Sequence, residues 1–121
     1  MCWNDRFMLL HELGHVWGAI NIPPSKHQPF MEVRRDVESW ASLDVVWERR
    51  AREHAANVIA WGLLEVPISV SGTYPNDPVS MTSAFEFLTG RMPMHDGGVG
   101  VQVPDRSLFR GRSNPRLASG R

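Results

Sequence analysis

A chain of 121 residues with 42% hydrophobic and 21% charged content has the balance of one modest globular domain. Thirteen basic residues cancel thirteen acidic ones, and no apolar run approaches about 18 residues, so neither nucleic acid nor a membrane is an expected partner. Cys2 is the only cysteine, which excludes a disulfide framework and a cysteine-based zinc site, and a reducing, cytoplasmic setting is expected.

The first residues lack a basic segment followed by an apolar run, so no signal peptide is read. Residues 4–19 form the first predicted helix, with Asn4 or Asp5 as its cap. Gly18, Asn21 and the Pro23-Pro24 pair close it. Residues 7–10 and 13–18 are uncharged, as expected of a helix buried at the centre of a domain. Gly14 lies inside it at a cost of about 1 kcal/mol relative to Ala, which calls for either close packing or room beside the helix. Residues 21–31 read as a proline-rich loop carrying His27.

A second helix is expected over 32–43, with Val33, Val37, Trp40 and Ala41 on its apolar side. A third is expected over 45–64, capped by Asp44 and stopped by Pro67. Residues 68–76 read as a connection or a short edge strand. Asp77-Pro78 forms an N-cap followed by an N1 proline, opening a fourth helix to about Leu88 with Gly90 as its C-terminal cap. The five tryptophans (Trp3, Trp17, Trp40, Trp47, Trp61) are expected to form much of the core. Residues 96–121 are rich in Gly, Arg, Ser and Pro and are expected to be a disordered basic tail, with five arginines against Asp105 over 101–121. The expected organisation is therefore a mainly α domain over 1–95, a core of about four helices with little or no sheet, followed by that tail.

Chemistry concentrates on the first helix, where His11-Glu12-Leu13-Gly14-His15 spells H-E-x-x-H. One turn apart, His11 and His15 project the same way and can share one Zn2+. Glu12 follows the first histidine directly, so its carboxylate can lie beside the ion without coordinating it. There it serves as general base toward water and then as acid toward a leaving amine. A catalytic zinc usually takes three protein ligands. The extension H-E-x-x-H-x-x-G-x-x-H fails here, because Gly18 is present but Asn21 stands where a third histidine would be.

The better candidate is Glu53, which shares a helix face with Asn57 at i, i+4. A carboxylate there completes a His-His-Glu set, and Asn57 can hold a ligand by a hydrogen bond. Glu53 has the alternative of pairing with Arg49 or Arg50. His54 is the rival ligand, although Trp47, Ala51, Val58 and Trp61 suit it to a packed position. Asp36, Glu38 and Asp44 are further carboxylates within reach of sequence reasoning, and His27 reads as a solvated loop residue.

The pair formed by HELGH and Glu53-His54-Ala55-Ala56-Asn57-Val58-Ile59-Ala60 resembles the gluzincins, in particular the small bacterial ImmA/IrrE-like metallopeptidases. The likeness spans about residues 5–67 and includes the leucine-rich, proline-terminated stretch Trp61–Pro67. It implies a zincin-like fold, Zn2+ as cofactor, and regulatory cleavage of a protein such as a repressor. Relatives also carry a small sheet before the motif helix, whose edge binds extended substrate. In this chain the motif begins at residue 11, so the expectation is that the sheet is missing, comes from residues 66–76, or belongs to a portion upstream of Met1. The donor that steadies the oxyanion in such enzymes is a Tyr, His or Arg outside the motif, for which residue type offers Tyr74 and His95. The leading expectation is thus a zinc endopeptidase acting on a protein or peptide. The alternatives are a metal-binding but non-catalytic regulatory or interaction protein, and a helical interaction fragment without metal.

Overall fold

The computed structural model describes residues 3–95; the expected tail over 96–121 lies outside the described residues. Four α-helices make up the domain: α1 (Trp3–Asn21), α2 (His27–Glu32), α3 (Ala51–Leu63) and α4 (Pro78–Thr89). Single 3-10 turns at Pro24–Lys26 and Trp47–Arg49 precede α2 and α3. Among the described residues there is no strand, only an isolated bridge between Ser39 and Arg50. Residues 66–76 form an irregular connection, so they supply no sheet.

The centre belongs to α3, not to the motif helix. From Ala51 to Gly62 every residue except Arg52 is buried, because α1 covers one side of this helix and α4 another. A helix buried all round can be apolar all round, and Ala55, Val58, Ile59, Ala60 and Trp61 meet that demand. By contrast α1 packs through a stripe, with Phe7, His11 and Gly14 inside. Met8, Leu9, Leu13, Val16 and Ile20 are exposed, Ile20 to 77%. The uncharged flanks of the motif therefore do not signal burial on every side.

Glycines set how closely the helices approach. A Cβ on Gly14 would lie 3.2 Å from the Ala56 carbonyl oxygen and 3.3 Å from its Cα, so the glycine is there for backbone contact between α1 and α3. Gly62 is more constrained: a Cβ would fall 2.1–2.6 Å from atoms of the Phe85 ring of α4. Phe85 is only 2% exposed, so the clash would fall inside the core. Gly62→Ala is expected to lower stability by roughly 1–3 kcal/mol despite a gain in helix propensity, since overpacking outweighs the latter. Thermal unfolding of the variant measures this; an unchanged or raised Tm would show that Phe85 can yield.

Helix ends explain where the structure departs from the expected boundaries. Asn4 and Asp5, expected as caps, lie inside the first turns of α1. Its far end runs past Gly18 to Asn21, whose side-chain amide donates to the Trp17 carbonyl at 3.0 Å before Pro23 stops the helix. The region expected as a loop holds α2, since Pro29 in a first turn removes only an N–H that has no helical partner.

The helix expected over 32–43 is absent, and 33–46 is irregular, with Asp36 in the left-handed region at φ 61°. Residues 38–40 instead run alongside the start of α3. The Ser39 and Trp40 carbonyls accept the amides of Ala51 and Arg52 at 2.8 and 2.9 Å. Those amides are the ones a helix start leaves unpaired, so α3 begins at Ala51 rather than 45 and Asp44 is not its cap. For α4 the expectation holds: Asp77 accepts from the Ser80 amide at 3.1 Å, Pro78 is the first helical residue, and Gly90 closes at φ 73°.

Of the tryptophans, Trp61 is buried, whereas Trp17 and Trp40 only flank the core and Trp47 is 39% exposed. His54 is buried, as its packed reading expected. Its Nδ1 accepts from Arg34 Nε at 3.1 Å and its Nε2–H donates to the Glu48 carbonyl at 2.7 Å. Burial pushes its pKa down to about 4, so the ring is a neutral tie between α3 and the 33–48 segment.

Candidate metal centre

One turn of α1 places His11 and His15 side by side, with ring centroids 4.7 Å apart and planes at 89°. The close approach at Gly14 brings Glu53 of α3 beneath them. Its Oε1 lies 3.1 Å from His11 Nε2 and 2.9 Å from His15 Nε2. The three residues offer ligand atoms that all fall within 4.8 Å of one another. His11 and Glu53 are buried, while the His15 side chain keeps 26% of its surface exposed. The cluster is therefore closed on the core side and open on one flank.

The support around it is specific. Asn57 Oδ1 lies 2.7 Å from His11 Nδ1, and the Asn57 amide donates to Thr73 Oγ1 at 2.9 Å. With the amide oxygen on that side, Nδ1 carries a proton, and in the neutral ring Nε2 then holds the lone pair. That lone pair faces a carboxylate oxygen, an arrangement of two acceptors that a cation between them would satisfy. A charged ring would also satisfy it. Two neutral imidazoles and one carboxylate are the donor set of a catalytic zinc site, so the residues present fit the ion. The Trp47 ring lies over His11 at 6.1 Å and 25°, and Phe7 flanks it at 6.4 Å, giving the buried histidine an apolar surround.

On the open flank lies a cavity of about 470 Å³, lined by Glu12, His15, Arg52, Gly18 farther along α1 and Ile22 just past its end. Glu12 is exposed and makes no hydrogen bond within the described residues, so its carboxylate is available to solvent in that cavity. The arrangement provides three ligand donors, one unengaged carboxylate beside them and space for a bound molecule.

Other residues singled out by type are placed elsewhere. His95 lies 2.9 Å from the Trp61 carbonyl and packs on that ring, two helical turns beyond Glu53 and about 12 Å along α3. Tyr74 directly follows Thr73, with its ring under the Arg35 guanidinium at 5.6 Å. His27 is not a solvated loop residue; it stacks on Trp40 with centroids 3.8 Å apart, and burial lowers its pKa. Glu38 is exposed and pairs with Arg49. Among the described residues Glu53 makes no ion pair with Arg49 or Arg50, which turn to Glu38 and the Val45 carbonyl; Arg52 lies 3.8 Å from its Oε2.

Thr73, Trp47 and Arg52 are contributors that sequence reasoning missed. The first two come from irregular segments without periodicity, and only adjacency to Glu53 marks Arg52. Compared with protein-family models, curated proteins and solved structures, the chain matches none.

Proposed function

We propose that this chain is a zinc-dependent metallo-endopeptidase that hydrolyses peptide bonds in a protein or peptide substrate. The observation that carries the reading is the convergence of His11, His15 and Glu53 at the edge of a cavity into which Glu12 is free to reach. The likeness to gluzincin-type, ImmA/IrrE-like peptidases supports it through the same residues. His11, His15 and Glu53 would hold the zinc, which when bound would supply Lewis acidity toward the scissile carbonyl and a nearby water.

The remaining work falls to the chain itself. Glu12 accepts the proton of the attacking water on a carboxylate oxygen. It then returns that proton to the departing amine nitrogen, so the carboxylate is regenerated with each turnover. Asn57, tied to Thr73, holds the His11 ring with Nε2 turned toward Glu53. Trp47 and Phe7 shield that ring, and the close α1–α3 contact at Gly14 fixes the separation of the two helices.

A second reading, a metal-binding regulatory or interaction protein that does not cut, is favoured by one observation. Among the described residues no strand edge stands beside the cavity to align an extended substrate. The two readings separate on hydrolysis of an unfolded protein such as casein. The peptidase reading expects cleavage that stops on chelation and returns with added zinc. Stoichiometric zinc without cleavage would establish the second.

A further inference from the structure

The cavity beside the metal set carries one charge, Arg52, that touches that set only through a long ion pair to Glu53. Arg52 lines it, and its guanidinium makes no hydrogen bond to any described residue. Its Nε is buried and lies 3.8 Å from Glu53 Oε2, beyond hydrogen-bond distance. Glu53 meanwhile directs Oε1 to both histidines. About 41% of the Arg52 side chain remains exposed, on the cavity side of α3.

Apart from Glu12, whose carboxylate the test below replaces by an amide, and His15, the walls are small or apolar. Ala19, Ala55 and Ala56 leave the volume open, Ile22 and Pro24 are uncharged, and the stacked His27–Trp40 pair forms a flat aromatic face. Burial lowers the His27 pKa, which favours its neutral form. Among the described residues Arg52 is thus the one permanent cation on the lining, and a guanidinium against low-polarity walls gains most from a carboxylate that meets it in two parallel hydrogen bonds. At about 470 Å³ the space is in the range of ligand pockets and holds more than one residue of a peptide.

We propose that Arg52 is the specificity-determining residue of this cavity, selecting peptides that carry an acidic side chain next to the bond presented to the metal centre. The inference rests on the peptidase reading for what happens to the peptide, but the recognition is a binding property that can be read without turnover.

The test uses the full chain as the zinc-loaded Glu12→Gln variant, so that peptides bind without being cut. The probes are three fluorescein-labelled Ala/Gly peptides that differ only in a central Glu, Gln or Lys, followed by fluorescence anisotropy. The Glu peptide is expected to bind at least about 10-fold more tightly than the Lys peptide, with the gap narrowing at high salt. Adding Arg52→Gln should erase the preference, Arg52→Glu should reverse it, and Arg52→Lys should keep most of it while controlling for folding.

Absence of a charge preference overturns the proposal, as does a preference that survives Arg52→Gln, or no binding of any probe at millimolar concentration. If, with Glu12 intact, Arg52→Gln lowers cleavage of all three peptides equally, Arg52 serves the oxyanion and the selectivity role is wrong. Cleavage without acidic preference overturns this inference and leaves the peptidase reading intact. Acidic preference in binding with no cleavage does the reverse.

Discussion

His11→Ala and His15→Ala are each expected to abolish zinc binding, whereas Glu12→Gln keeps the ion and loses peptide hydrolysis. The contrast follows from where the three side chains go. The Nε2 atoms of both histidines lie about 3 Å from the same Glu53 oxygen, so losing either removes one of three donors. Glu12 sits between them in sequence but projects into the open cavity and bonds to nothing described. Its replacement by an isosteric amide removes only the proton acceptor, an effect of roughly 100- to 10,000-fold on rate for a general base.

His11→Ala carries a stability cost that His15→Ala largely avoids. His11 is buried under Trp47 and is the partner of Asn57, while His15 is partly exposed. Zinc content after desalting and casein hydrolysis measure the set. Loss of zinc in Glu12→Gln equal to that in the histidine variants would show that the carboxylate is a ligand.

Much of this arrangement could be read from the chain alone, and for local reasons. The i, i+4 spacings of His11/His15 and Glu53/Asn57 fix which side chains share a face, whatever the helices then pack against. Asp77, Pro78 and Gly90 mark α4 because each satisfies a need of its own helix end. What could not be read depends on non-local partners. Val33, Val37 and Trp40 have helical spacing, yet the segment is irregular because the first amides of α3 take the carbonyls of Ser39 and Trp40.

The central place of α3 was equally hidden. Its run of Ala55, Ala56, Val58, Ile59 and Ala60 reads as one apolar stripe, and only the packing of α1 and α4 on separate sides shows that it is buried all round. Trp47 over His11 and Thr73 on Asn57 come from a 3-10 turn and a connection, where no periodic pattern announces a contact. Gly14 offered two explanations, and the 3.2 Å approach of the Ala56 carbonyl identifies close packing as the constraint.

The second large effect belongs to α3. Glu53→Ala is expected to weaken zinc affinity by more than about 100-fold, since it removes both a ligand and the negative charge that offsets the ion. Asn57→Ala keeps all three donors and frees only the His11 ring, so a loss of about 10-fold, and at most 100-fold, is expected. His54→Ala should leave affinity alone. Its ring turns to Arg34 and Glu48, and its removal strips the buried Arg34 Nε of an acceptor at a cost of about 1–3 kcal/mol in stability. A competitive zinc titration of the Glu53→Ala, Asn57→Ala and His54→Ala chains beside the parent tests the proposed centre most directly. The expected order is one tight site in the parent, unchanged in His54→Ala, weakened in Asn57→Ala and nearly lost in Glu53→Ala. Parent-like affinity in Glu53→Ala, or a large loss confined to His54→Ala, would contradict a centre built on His11, His15 and Glu53.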